Sequence, residues 1–590
     1  MEKWMVAAKK ADFGVIANKY GISPVLARII RNRDVVADEE IAFFLQGTLK
    51  DCHDPYAMKD MEKAVAVTEQ AIQQGKRIRV IGDYDVDGIC SAHILRHGLE
   101  VLGANVNAVI PHRIKDGYGL NDALIHQANE EGMELIITCD NGIAASEQIA
   151  LAKSLGMDVV VTDHHEVPYE ISEGGDRNEI LPPADAIIDP KREDCTYPFS
   201  GICGAVVAYK FIQALSIKMN SEKVQMLSME LLPFAAMATV CDVMELKDEN
   251  RVIVREGLSY VPRMENEGLK ALAQVNGLEL AQLSAYHMGF VMGPCLNASG
   301  RLDTAARALE LFATKDKGEA VVMATQLKEL NDSRKALTTK GVEDALKQIE
   351  ENDMTKDDVM VVYLPEVHES LAGIIAGRIR EMYNHPAFVL TKAEEGLKGS
   401  GRSIESYHMY EALVEVKEHL TKFGGHKLAA GLSLSEEELG AFREALLSNS
   451  KLTSEDFVKV LHIDVPMPIS YGSLAFAKEL EKLEPYGVGN PKPLFAQKDV
   501  RFVGARRIGA NGNYGKFTVM ATEGSPKRDE VMFFGDLEEF LRAVDEKHGE
   551  GSAERLFSGK GEVTMSIAYQ VGINTFRGNQ SVQYIMVSYM

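Results

Sequence analysis

Between residues 76 and 190 the chain alternates short apolar, β-branched runs with longer amphipathic stretches. The runs 78–81, 106–110, 135–138, 159–161 and 186–188 are of strand length, and helical spacing fills intervals such as 91–102 and 144–155. Strands that read as continuous apolar runs are buried on both faces, so this pattern predicts a mostly parallel sheet covered by helices, an α/β fold. From 204 to about 352 the periodicity is helical, and 311–352 reads as one long connecting helix. A second α/β unit is predicted over 353–455, from VMVVYLPE through a helix in ESLAGIIAGRIREMY to FVLT. From 456 to 590 the text turns strand-rich, with turns at NGN (511–513) and FRGNQ (576–580), and predicts a small β-barrel with one inserted helix at 473–483. Residues 1–310 are read as the first domain, with an N-terminal extension ahead of its sheet.

A chain of 590 residues exceeds what one core supports, consistent with several domains. No uninterrupted apolar run approaches the length of a bilayer span, and the opening MEKWMVAAKKADFG lacks the apolar core of a signal peptide. Seven scattered cysteines without CxxC pairs argue against a disulfide framework or a zinc knuckle and point to a reducing, cytoplasmic setting. The net charge of -23 argues against a general nucleic-acid coating protein but leaves room for an enzyme with a confined channel. A phosphate-binding site in such a chain must be a basic patch set in an acidic body.

Acidic residues fall where the predicted strands end. Strand 78–81 runs into GDYDVDG, with Asp83, Asp85 and Asp87; 135–138 runs into CDNG, with Asp140; 159–161 runs into TDHH, with Asp163, His164 and His165; 186–188 runs into Asp189. In an open α/β sheet these loops share the carboxyl edge, where ligands bind. Alone, DxDxDG is also a calcium loop or a helix cap, although the EF-hand pattern fails because residue 94 is Ile. A lone DHH is equally a turn with a buried histidine. Four such motifs at four strand ends have no comparable structural explanation. Gathered carboxylates repel one another, and divalent cations are the simplest means of keeping them charged together. Mixed Asp/His ligation suits Mn²⁺ or Mg²⁺, and two such ions about 4 Å apart can activate water and clamp a transferring phosphoryl group. Cys139 and Cys241, each next to a candidate ligand, read as core residues.

DYDVDG, CDNG, TDHH and a later CDV together resemble the DHH phosphoesterase superfamily, and within it the bacterial single-stranded-DNA exonucleases. The resemblance extends through PHRIKDGYGLN (111–121), GPCLNASGRL (293–302), GSGRS (399–403), FGGHKLAAG (423–431) and PYGVGNPKPLF (485–495). It implies a DHH catalytic domain, a DHH-associated domain and an oligonucleotide/oligosaccharide-binding (OB) barrel. It also implies Asp83, Asp85, Asp140, His164 and Asp242 as ligands of two Mn²⁺ or Mg²⁺ ions, with Asp140 bridging. His165 is then a ligand or a partner of one, and which histidine binds stays open. Asp87 either binds or orients its loop, and Asp189 is a weaker candidate.

On the substrate side, GSGRS reads as a glycine-flanked loop in which backbone N–H groups and a guanidinium meet a phosphate. The resemblance implies that Ser400, Arg402 and Arg113 hold a 5′-terminal phosphate, Arg301 and Asn297 a neighbouring one, and His426 the scissile group. Arg501, Arg506, Arg507 and Lys516 among Phe502, Tyr514 and Phe517 suit a phosphate track with base stacking in the barrel. The implied activity is 5′→3′ exonuclease action on single-stranded DNA, releasing mononucleotides in repair and recombination. Single-strand-binding protein and a helicase are candidate partners, and no membrane is involved. Two alternatives stand beside it: a DHH phosphodiesterase of short oligoribonucleotides or small nucleotides, and a metal-free replication scaffold. The barrel argues against the first and the retained aspartates against the second. The chain departs from the family pattern at Ile81, where a histidine is common, and at Val367-His368 and Ser370, in place of Trp-His and a glycine.

Overall fold

The computed structural model describes residues 2–112, 119–172, 175–520 and 527–590. Two compact units divide the chain: residues 53–244 with 257–459, and residues 2–52 with 245–256 and 460–590.

In the first unit, five parallel strands lie in the order Asn105–Val109, Arg77–Ile81, Leu135–Cys139, Asp158–Thr162, Ala186–Ile188. Strand order therefore reverses between Arg77–Ile81 and Leu135–Cys139, and a crevice opens at such a switch point. Ile78, Val80, Leu135, Ile137, Val159 and Val161 are fully buried, which is why these strands read as unbroken apolar runs. Helices Val86–Val101, Gly204–Lys218 and Val224–Cys241 pack together beside the sheet. Gly98 permits the close approach of the first two, since a Cβ there would lie 2.7 Å from Ile212 Cγ2. Among the described residues, Val224–Cys241 has the length and apolarity of a membrane span, but it carries Glu230 and packs within this helical layer.

The connecting helix runs Lys317–Glu351, 35 residues, with Asp316 capping the Glu319 N–H. It begins later than the expected position 311, because Ala306–Ala313 forms a helix of its own. Ala320, Ala324, Leu327, Asn331, Thr338, Gly341, Ala345 and Ile349 form its buried stripe. Beyond it, a second sheet is ordered Lys422–Gly425, Ala429–Leu434, Leu397–Arg402, Ala387–Lys392, Met360–Tyr363, parallel only between the last two. GSGRS is not the glycine-flanked loop read from sequence: Gly399 to Arg402 lie within strand Leu397–Arg402. Gly401 is glycine because a Cβ there would meet Met409 Sδ at 2.4 Å and Phe388 at 2.6 Å. Alternation then places Ser400 and Arg402 on the opposite face.

The second unit is a closed barrel. Its strands follow the order Val465–Pro466, Phe495–Ile508, Tyr514–Met520, Arg528–Phe533, Asn579–Tyr589, Val563–Phe576, and Phe495–Ile508 pairs with Val563–Phe576 to close it. The expected inserted helix is present as Leu474–Leu480 with a 3₁₀ turn at Glu481–Leu483, and two helices that sequence reading missed, Leu537–His548 and Ser552–Phe557, also pack here. Phe502 and Phe517 are fully buried against Phe540, which removes them from any stacking surface. Residues 2–52, adjacent in sequence to the parallel sheet, share the barrel's core through Leu26, Ile29, Ile30 and Phe44. Arg33 forms a buried ion pair with Asp464 at 2.6 Å. Buried Arg251 donates to the carbonyls of Phe44, Lys482 and Leu483, which fixes segment 245–256 in the same unit.

Candidate active site

The loop after Arg77–Ile81 folds over the start of helix Val86–Val101. Asp85 caps that helix by accepting the Gly88 N–H at 3.1 Å. Gly88 has no side chain because Asp83 backbone atoms lie 2.3–2.6 Å from where its Cβ would stand. The two oxygens of Asp87 accept the N–H groups of Gly204 (2.7 Å) and Ala205 (2.8 Å) at the start of helix Gly204–Lys218. Asp87 thereby ties its loop to a second helix, and it also belongs to one of the candidate ligand groups.

Asp140 adopts φ 57°, a left-handed conformation that aspartate tolerates better than most residues. It brings its carboxylate to within 3.1 Å of His164 Nε2, which also lies 3.5 Å from Asp87 and 3.8 Å from Asp242. Three overlapping groups result: Asp83, Asp85 and Asp140; Asp140, His164 and His165; Asp87, His164 and Asp242. Within each group the ligating atoms lie within 4.8 Å of one another. All five ligands implied by the resemblance are thus brought together, with His165 among them. Asp189 is fully buried outside these groups and accepts the Lys191 N–H.

The electrostatics are those of an anion cluster awaiting positive charge. Burial, then the neighbouring Asp85, pushes Asp83 up to about 7. Burial, then Asp87, raises Asp242 to about 8, and Asp140 is raised well above the usual range by burial and by Asp87, Asp85 and Asp83. Asp83 Oδ1 is buried with no hydrogen-bond partner among the described residues. An oxygen-rich donor set with imidazole and one orphaned carboxylate oxygen fits Mn²⁺ or Mg²⁺. Burial raises the thiols of Cys90, Cys139, Cys203 and Cys241 above their ordinary value, which disfavours a thiolate at any of the four.

Asp163 is the residue whose role sequence reading missed. Its carboxylate accepts the N–H groups of Ile143 (2.9 Å), His164 (2.8 Å) and His165 (3.2 Å), and the His165 ring through Nδ1 (2.7 Å). Burial raises it, but the His165 hydrogen bond and charge outweigh burial and leave it below the usual carboxylate range. Against the opposing pull of burial, Asp163 raises His165 to about 9. A carboxylate on Nδ1 fixes the orientation of the ring beside the cluster. The available signal was position, because an Asp directly before two histidines can bond its own following backbone.

The helix Gly293–Leu302 connects this cluster to the second sheet. Gly300 lies against Tyr84, between Asp83 and Asp85, with its Cβ position 2.7 Å from the Tyr84 carbonyl oxygen. Its neighbour Arg301 donates to the Ser370 carbonyl at 2.7 Å and lines a cleft of about 500 Å³ with Ser370, Gly373, Lys398, Ser400 and Arg402. Gly373 makes room there, since a Cβ would lie 2.8 Å from both Arg402 Nη2 and Ser400 Oγ. Arg402 donates to Ser400 Oγ and to the Gly401 carbonyl, and burial followed by the charge of Arg380 lowers its pKa. Both effects favour an anion beside it. Asn297 is half-buried on the same helix as Arg301. His426 is exposed in the turn between Lys422–Gly425 and Ala429–Leu434, and its Nδ1 accepts the Leu428 N–H, which makes Nε2 the protonated nitrogen. Arg113 lies outside the described residues. In the barrel, Arg501, Arg506, Arg507 and Lys516 each face a glutamate: Glu562, Glu530, Glu538 and Glu530. The expected phosphate track is therefore charge-compensated, with Tyr514 rather than Phe502 or Phe517 at its surface.

A parallel sheet presenting a shared carboxylate–imidazole cluster at its switch point, joined by one helix to a cationic cleft on a second sheet, defines a DHH-type phosphoesterase. Residues 77–239 match the DHH family N-terminal domain, 356–450 the DHHA1 domain and 463–588 the RecJ OB domain. The single-stranded-DNA-specific exonuclease RecJ of Salmonella typhimurium is 32% identical over 589 residues, covering 96% of this chain and 95% of that protein. That of Bacillus subtilis is 35% identical over 502 residues, covering 84% of this chain but 62% of that protein, less than two thirds of its length. Thermus thermophilus RecJ crystallised with Mn²⁺ superposes with a TM-score of 0.80 at 28% identity, covering 100% of this chain and 79% of that one. Its Mg²⁺ complex gives 0.74 at 26% identity, covering 100% and 78%. The chain belongs to the RecJ family.

Proposed function

We propose that this protein is a single-stranded-DNA exonuclease that hydrolyses phosphodiester bonds from the 5′ end, releasing mononucleotides with two Mn²⁺ or Mg²⁺ ions. The observation that carries the reading is the juncture of cluster and cleft: Gly300 rests on the Asp83–Asp85 loop while Arg301 lines the anion cleft. Asp83, Asp85, Asp140, His164 and Asp242 would hold the cations, with His165 oriented by Asp163. The ions would supply an activated water and neutralise charge on the phosphoryl oxygens. Ser400 and Arg402 grip a terminal phosphate and Arg301, in the same cleft, the neighbouring one, which sets the first phosphodiester over the carboxylate cluster and makes cutting start from the end. Arg113 is assigned to the terminal phosphate and Asn297 to its neighbour. His426 donates its Nε2–H to the scissile phosphate. Their side chains make end recognition a matter of charge-assisted hydrogen bonds to phosphate, independent of base sequence.

The substrate assignment also rests on the RecJ relatives, named for single-stranded-DNA-specific exonucleases. A strand fed end-first requires a duplex to be opened and the free strand kept accessible, so a helicase and a single-strand-binding protein are the proposed partners, in repair and recombination. Scattered cysteines without CxxC pairs and a DNA substrate support a cytoplasmic location. The decisive experiment is digestion of end-labelled single and double strands, with either 5′-phosphate or 5′-hydroxyl, in each metal and in excess chelator. Mononucleotides released from the 5′ end of single strands, in metal only, are expected. Full activity in chelator, or in the Asp140→Ala variant with its fold intact, would refute the mechanism.

A further inference from the structure

The helical segment leading into Gly293–Leu302 carries the conspicuous apolar exposure of the first unit. Tyr286 and Phe290 are 63% and 71% exposed. Their rings lie nearly parallel, with centroids 5.2 Å apart and 24° between planes. A π-helical segment, Met288–Met292, sits at this point, and such wide turns concentrate at functional sites. The segment is clamped to the end of helix Val224–Cys241. Cβ positions at Gly289 and Gly293 would fall 3.0 Å from Val240 Cγ1 and 2.5 Å from Cys241 Sγ, and Cys241 donates to the Met288 carbonyl. The next residue is Asp242, of the carboxylate cluster. Val243 follows at φ 60°, a strained conformation for a β-branched residue, with 64% exposure.

Two exposed aromatic side chains thus sit on a segment packed against the residues just before Asp242, and the far end of that segment carries Arg301 into the anion cleft. We infer that Tyr286 and Phe290 form a stacking platform for unpaired nucleobases of the strand whose end is held in that cleft. This inference rests on the single-strand reading of the site. Two flat stacked rings open to solvent offer a π-face that any base can use, and base pairing in a duplex would withhold the bases from it. The platform therefore selects unpaired strands by the exposure of their bases and adds affinity that the phosphate grips do not supply.

The test compares wild type with Y286A/F290A, and with Y286W/F290W as the conservative replacement. Substrates are a 5′-phosphorylated single strand and the same strand carrying abasic sites in place of the nucleotides after the first. At stacking's usual worth, Y286A/F290A should raise KM about 5- to 160-fold while kcat changes little, and Y286W/F290W should restore it. Wild type should lose a similar factor on the abasic strand, and Y286A/F290A should treat both strands alike. An unchanged KM overturns the platform, as does an abasic penalty that persists in Y286A/F290A. The latter, together with loss of binding to a hydrophobic peptide, would mark a protein-docking surface instead. Failure of wild type to degrade any single strand would refute the underlying activity, which is read from wild type alone.

Discussion

Gly204 is a position at which a single methyl group would press directly on the carboxylate cluster. It opens helix Gly204–Lys218, donates its N–H to Asp87, and lies against the carboxylate shared by two of the three ligand groups. A Cβ at this position would sit 2.8 Å from Asp140 Cβ, 3.0 Å from its Cα and 3.1 Å from Oδ1. Carbon contacts relax to about 3.5–4.0 Å, so Gly204→Ala must displace Asp140 or the helix start by roughly 0.5–1 Å. Overpacking of that size costs about 1–3 kcal/mol, which a domain of this size survives. Misplacement on this scale costs up to about 100-fold in rate, and disturbed support of ligands costs about 10–100-fold in metal affinity. The assay is a Mn²⁺ titration of single-strand cleavage, paired with urea unfolding. A shifted Mn²⁺ midpoint and lower kcat on a folded protein are expected. Gly440→Ala is the control, since its Cβ meets nothing within 4 Å in helix Leu439–Asn449. Wild-type Mn²⁺ dependence and rate in Gly204→Ala would refute the claim that Asp140 is held by close packing.

Arg402→Ala should weaken the preference for a 5′-phosphate by about 10–100-fold, the worth of a charged hydrogen-bonded pair, measured as the ratio of kcat/KM on phosphorylated and hydroxyl ends. Equal loss on both ends would contradict terminal capture. In metal-free protein, Asp83, Asp189 and Asp242 have folded values of about 7, 7 and 8, above the ordinary carboxylate value. The folded state then binds more protons than the unfolded one between pH 4 and 8, so their contribution to stability falls as pH rises through this window. Tm without metal should drop from pH 5.5 to pH 8, and Mn²⁺ should raise it more at pH 8; a Tm gain independent of pH would count against cation binding by these carboxylates. Arg33→Ala leaves Asp464 buried without its partner and should destabilise the barrel unit by about 3–5 kcal/mol in urea unfolding. A change under about 1 kcal/mol would mean that the surroundings resolvate the carboxylate.

The catalytic sheet was legible because burial on both faces leaves uninterrupted runs such as 135–138, and because the acidic motifs begin where those runs stop. The ligand cluster was legible for the same reason, with parallel order alone bringing Asp83, Asp140 and His164 to one edge. GSGRS was misread because glycines in a strand resemble glycines in a loop until Phe388 and Met409 are seen against Gly401. Phe502 and Phe517 could not be told from surface aromatics, since alternation fixes two faces without saying which is inside. The anchoring role of Asp163 was passed over although its position signalled it, and Gly204 was invisible because it acts through the absence of a side chain.

The sharing of one core by residues 2–52 and the barrel has a consequence for synthesis. Arg33 and Asp464 are 431 positions apart. At about 5–20 residues per second, the ribosome reaches the second partner roughly 20–90 s after the first. Throughout that interval the apolar faces of helices Pro24–Asn32 and Asp38–Gln46 lack the core they end in. The parallel sheet is meanwhile translated in full and can condense. The nascent protein should thus bind holdase chaperones through its earliest segment rather than its latest, and ribosome-bound chains stalled before residue 460 should remain cleavable by protease within residues 2–52 while the sheet resists.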